Sequence, residues 1–125
     1  MSKRKLVSAA LTLPFVFLIQ QANATEYTMD TTIRTLVSQG ERPSSPNFQN
    51  KQFVGLPLSA AWTQHSGSGG TPCAQGVAVI PDNNPWMFSI AVTAKIENKT
   101  IQITVDNTLP MTNGQYCQIT SISIL

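Results

Sequence analysis

The chain has 125 residues, of which only 11% are charged, and a formal net charge of +2. Three of its eight basic residues (Lys3, Arg4, Lys5) crowd the first positions, and the remaining five (Arg34, Arg42, Lys51, Lys95, Lys99) face six acidic residues, so the body carries −1 (5 − 6). A near-neutral surface with scattered cations disfavours nucleic acid and anionic membrane as partners.

The basic start leads into an apolar run from Leu6 to Ile19 and a short polar stretch ending Ala22-Asn23-Ala24. Those three zones are the pattern of a secretory signal with an A-x-A cleavage site. The run is shorter than the roughly 20 residues that cross a bilayer, and Pro14 interrupts it, so a transmembrane anchor is the weaker reading. Residues 1–24 are therefore expected to be a signal peptide. Residues 25–125 are expected to form one soluble domain with no transmembrane segment, secreted, and through the periplasm if the cell is bacterial. In an oxidising compartment Cys73 and Cys117, the two cysteines of the chain, are expected to pair, contributing about 2–4 kcal/mol. A metal site would need more ligands than these and His65 supply, so neither a metal nor a cofactor is expected.

In chain order, Thr25 to Asp30 reads as a polar lead-in and Thr31 to Val37 as a first, β-branched strand. Gly40 to Asn50 is a loop marked by Pro43 and Pro46. A second strand is expected over Lys51 to Leu58, continuing to Gln64, with Pro57 at an edge or bend. Ser66 to Gly70 is a glycine-rich turn, and Cys73 to Ile80 a third strand with Val77 and Val79 on one face. The run Pro81-Asp82-Asn83-Asn84-Pro85 stops that strand and starts a helix, with Asn84 as N-cap and Pro85 in the first turn, running to about Asn98. Met87, Ile90, Ala91 and Ala94 form one apolar stripe, and Phe88 and Val92 a second. The second stripe sits under a loop or meets a neighbouring subunit. Thr100 to Asp106 alternates, with Ile101, Ile103 and Val105 inward. After the Asn107 to Gly114 loop, Tyr116 to Leu125 forms a last strand, whose change of phase between Ile119 and Ile122 predicts a bulge near Thr120 and Ser121. A mainly β chain with one helix between the third and fourth of five strands has the order of an OB-fold, a partly open barrel that often binds oligosaccharides or oligonucleotides.

Catalytic machinery is not legible. His65, the one histidine, precedes a glycine-rich turn and reads as an exposed loop residue. The six carboxylates form no pair in a cleft-like context, which leaves a secreted hydrolase without an acid and base. The SGSGG run lacks the lysine of a phosphate loop, and Asn98-Lys99-Thr100 matches a glycosylation sequon. A binding surface is the remaining reading. Trp62, Gln64 and His65 form a candidate cluster because an aromatic face stacks on a sugar and amides bond its hydroxyls. Trp86, near the helix start, reads as core or helix anchor as readily as it does as a sugar contact.

From Cys73 onward, the run NPWMFSIAVTAKIENKTIQITVDNT and the later NGQYCQITSISI resemble the B subunits of AB5 bacterial toxins, particularly the pertussis-like group. The resemblance lies in a tryptophan before the helix, a lysine-containing helix end and an alternating strand leading to a late cysteine. It implies an OB-fold protomer in a homo-pentamer, helices around a central channel, surfaces that bind host-cell glycans, often sialylated, and a separate enzymatic A subunit. It also implies a non-catalytic chain in which Phe88 and Val92 face the ring neighbours. Related subunits carry a serine near the first strand that contacts the sugar acid; here that region reads Asp30, Thr31, Thr32. Asp30 and Thr31 are thus candidate glycan contacts beside Trp62, Gln64 and His65. The alternative is a secreted or periplasmic OB-fold protein that binds a protein partner, as an inhibitor or immunity factor.

Overall fold

The computed structural model describes residues 25–125; the expected signal peptide and its cleavage site lie outside the described residues. The chain is mainly β: β1 (Glu26–Thr31), β2 (Thr35–Ser38), β3 (Gln52–Gly55), β4 (Thr63–Ser66), β5 (Val77–Ile80), helix α1 (Trp86–Ile96), β6 (Ile101–Asp106) and β7 (Gln118–Ile124). The strands form one seven-stranded sheet in the order β2-β3-β5-β7-β6-β1-β4. All neighbours are antiparallel except β5 and β7, which meet in parallel at Val79 and Gln118. Among the described residues no helix is long and apolar enough to cross a membrane.

Seven strands replace the five expected. The supposed lead-in is β1, which pairs along its whole length with β6, from Glu26 opposite Asp106 to Thr31 opposite Ile101. The chain breaks at Thr32–Arg34, where Ile33 turns into the core and Arg34 N–H donates to Gly55 O at 2.8 Å, and then resumes as β2 against β3. The expected second strand is likewise two. Beyond Gly55 the chain turns at Pro57–Ala60, closed by Ala60 N–H on Pro57 O at 3.0 Å, and β4 then lies on β1.

β6 buries Ile101, Ile103 and Val105 completely, as its alternation requires. The bulge is where the phase change put it. Thr104 faces Ser121 and Val105 faces Ile119, leaving Thr120 as the additional residue, so Ile119 and Ile122 both reach the core. Opposite them α1 buries Met87, Ala91 and Ala94. Each large aliphatic side chain fully buried between helix and sheet stabilises the fold by about 1.5–3 kcal/mol.

The helix departs from expectation at its start. Asn84 is not the cap: its N–H donates to Pro81 O at 3.1 Å, and the helix begins at Trp86 with no side-chain cap. The orphan amides are met by short i to i+3 bonds, Met87 N–H on Asn84 O (3.3 Å) and Phe88 N–H on Pro85 O (3.0 Å). The helical end is a Schellman turn, with Asn98 at φ 54° and Lys99 N–H on Ala94 O at 2.9 Å. Ile90 and Trp86 do not join the core; they stand out at 36% and 76% exposure, with Ile96 at 78%.

Candidate binding site

Cys73 and Cys117 are joined in a disulfide with Cα atoms 5.4 Å apart. The bridge fastens the β4–β5 connection to the start of β7. Trp62 strengthens the same join: its ring packs half-buried against the core and its indole N–H donates to Ala74 O at 3.0 Å. Its polar handle is thus spent inside the fold.

The other sequence candidates are spread over one end of the sheet. Asp30 is exposed on β1 and accepts from Gln102 Nε2 at 3.0 Å, and Thr31 closes β1 with its hydroxyl on Thr32 O. Gln64 lies opposite Tyr27 on β4 and donates to Gly67 O. His65 stands beside it, exposed in a strand rather than in a loop, where the β1–β4 register shifts. Asp30 borders a shallow cavity of about 390 Å³ with Thr28, Thr63 and Gln102, which Thr31, Trp62, Gln64 and His65 do not line. Phe88 packs against the core of its own chain, and Val92 is half-buried.

A different place gathers aromatic side chains. On β3 and β5, Val54, Ala78 and Ile80 enter the core, so the alternate residues Phe53, Val77 and Val79 face the other way. Two connections cover that face. The Gly40–Asn50 loop is held by Asn50 N–H on Gly40 O (2.9 Å) and Phe48 N–H on Ser45 O (3.0 Å), and it lays Phe48 against Phe53 with ring centroids 5.9 Å apart. The hairpin around Asn113-Gly114, both at positive φ, brings Tyr116 to 6.3 Å from Phe48. Asn47 Nδ2 bonds Asn113 Oδ1 at 3.2 Å and clasps the two connections together.

The result is a cavity of about 250 Å³ with an aromatic wall of Phe48, Phe53 and Tyr116, a floor at Gly55 and Val77, and a polar rim that includes Arg34, Thr35 and Gln39. Arg34 bonds Leu56 O through Nε at 3.2 Å, and the one ion pair among the described residues, Lys51–Asp82, does not involve it. Its terminal nitrogens therefore remain donors, suited to a carboxylate or hydroxyls. Rings tilted by 52° present faces and edges for stacking on a flat apolar surface. Among the described residues no three His, Cys, Asp or Glu side chains gather as metal ligands. The arrangement suits binding.

The sequence gives little sign of this place. Phe48 lies in a loop, Phe53 in a short strand and Tyr116 beyond a distant turn, so no periodicity links them. Phe53 alone carried a signal, next to Val54 in a run apolar on both faces. Gly55 is its floor because a Cβ there would collide with Thr35 Oγ1 and lie 3.2 Å from Thr35 O. Gly55→Ala is expected to cost about 1–3 kcal/mol and narrow the cavity by pushing β2 from β3, read as a lower melting temperature and weaker ligand binding. An unchanged melting temperature would show that Thr35 yields freely. Compared with known proteins, the chain matches no family model, no curated protein and no solved structure.

Proposed function

We propose that the chain is an exported, non-catalytic glycan-binding subunit of AB5 type, whose copies ring together and carry a separate enzymatic chain. The observation that carries this reading is the aromatic-walled cavity with Arg34 on its rim. Aromatic faces take the apolar side of a sugar, and the terminal nitrogens of a guanidinium take the carboxylate of an acidic one.

Two further features support it. The first is topology: β1 and β2 are consecutive segments at opposite sides of the order β2-β3-β5-β7-β6-β1, with one parallel pair and the helix between β5 and β6. Taking β1 and β2 as halves of one bent strand, with β4 added at the margin, gives the strand order of an OB-type barrel. The second is the outward face of α1. Trp86, Ile90 and Ile96 expose large apolar surface on one short helix, which suits burial between copies in a closed ring.

The test is light scattering of the exported protein together with a glycan array. A mass about five times that of one chain, with binding to acidic glycans, is expected. A monomer that binds no glycan overturns the proposal, and a monomer that captures one protein tightly instead favours the inhibitor or immunity reading.

A further inference from the structure

Thr25 is the first residue after the A-x-A motif, and it is buried and hydrogen-bonded through its nitrogen, carbonyl and hydroxyl. Its backbone nitrogen donates to Asn107 Oδ1 at 3.0 Å, its carbonyl accepts Asn107 N–H at 3.1 Å, and its hydroxyl donates to Gly69 O at 2.8 Å. In the full-length chain it is 1% exposed. Asn107, itself buried, turns its other side-chain atom to the β4–β5 connection, with Nδ2 donating to Gly69 O at 2.9 Å and Thr71 O at 3.2 Å. The carboxamide orientation follows from its partners, a donor at Oδ1 and carbonyls at Nδ2. Gly70, at φ 79°, is part of the fit, since a Cβ there would lie 2.5 Å from Asn107 Nδ2.

We propose that the Asn107 carboxamide, which also ties the 67–71 loop through Gly69 O and Thr71 O, is a receptor for the α-ammonium that leader cleavage creates at Thr25, so that processing tightens the hold on this loop. The proposal rests on the export reading. Before cleavage the Thr25 nitrogen offers one N–H. Hydrolysis of the Ala24–Thr25 peptide bond consumes one water, leaves the carboxylate on Ala24, and gives Thr25 an ammonium with three donors. Charge-assisted hydrogen bonds are roughly twice as strong as neutral ones, so the same Oδ1 holds the processed terminus more tightly. The glycine-rich run at 67–70, which has little intrinsic order of its own, is tied through Asn107 to the end of β6, and the firmer bond at Oδ1 steadies that tie.

The experiment exports the full chain and reads the amino terminus by intact mass. A terminus other than Thr25 overturns the export reading's cleavage site and this proposal with it, whatever the glycan array shows. With Thr25 first, the folded protein is treated with an amine-acylating ester near neutral pH, and modification of the α-amine is followed by peptide mass. It is compared with Asn107→Ala and with a variant carrying one serine inserted after Ala24, which shifts the ammonium one residue outward while keeping every Thr25 backbone contact. The α-amine of the natural protein is expected to react about tenfold more slowly than in either variant. Both variants are also expected to be cut faster at 66–71 by a trace of protease. Equal acylation rates in the natural and inserted chains overturn the proposal, and that comparison stands even if Asn107→Ala fails to fold.

Discussion

Replacing Cys73 and Cys117 together by alanine is expected to lower stability by about 2–5 kcal/mol, the usual cost of removing a native bridge from a small domain. In a domain of this size each kcal/mol moves the melting temperature by about 4–8 °C, so calorimetry is expected to show a fall of about 8–40 °C. The unfolded chain gains the entropy of a loop that the bridge closes across a separation of 44 residues. The native side is affected as well. The connection from β4 to β5 contains no strand of its own, and it is fixed at Asn107 through Gly69 and Thr71, at Trp62 through Ala74, and at the disulfide. Ala74 N–H on Gln115 O, at 2.9 Å, adds one bond beside the bridge. A reductant should reproduce the double substitution in the natural chain. A fall of less than about 5 °C would show that these hydrogen bonds hold the connection without the covalent link.

What the sequence reveals and what it conceals divide along the range of the interactions. Ile101, Ile103 and Val105 are read correctly because one buried face imposes period two over neighbouring residues, and the bulge at Thr120 is read because it interrupts that same period. β1 is less legible. Tyr27, Met29 and Thr31 do alternate with Glu26, Thr28 and Asp30, but only Met29 is a fully buried hydrophobe and two of the six residues are acidic. The break at Ile33 is invisible locally, since the chain there changes partner from β6 to β3. The helix misleads for a related reason. Its residues are apolar nearly all round, so pattern alone cannot choose which stripe meets the sheet, and small Ala91 and Ala94 take the buried face while Ile90 and Trp86 stay outside. Close helix-to-sheet approach favours those small side chains. The candidate cavity is least legible, because its aromatic wall is assembled by a loop, a strand and a hairpin that only the tertiary fold brings together. Thr25 and Asn107 form a pair for the same reason, being 82 positions apart.

The two phenylalanines of that wall are expected to separate stability from binding. Phe53 is 6% exposed, pinned between Val37 and Val79 on neighbouring strands and in tilted contact with Phe48, so Phe53→Ala should cost about 3–5 kcal/mol. Phe48 stands half-exposed on its loop, which the backbone bonds of residues 40–50 and the Asn47–Asn113 contact continue to hold without the ring. Phe48→Ala should therefore melt within a few degrees of the natural protein while weakening glycan binding, by up to about tenfold if one stacked ring contributes about 0.5–1.5 kcal/mol. Arg34→Ala adds a chemical discriminator: if the cavity binds glycans as proposed, binding of acidic glycans should fall while that of neutral ones is retained, because the guanidinium is lost and the rings are kept. Glycan titration and thermal melting on the same preparations check all three. If Phe48→Ala loses as much stability as Phe53→Ala, the ring belongs to the core. If it binds glycan unchanged, recognition lies elsewhere, and the exposed β1–β4 margin with Asp30, Gln64 and His65 becomes the surface to mutate.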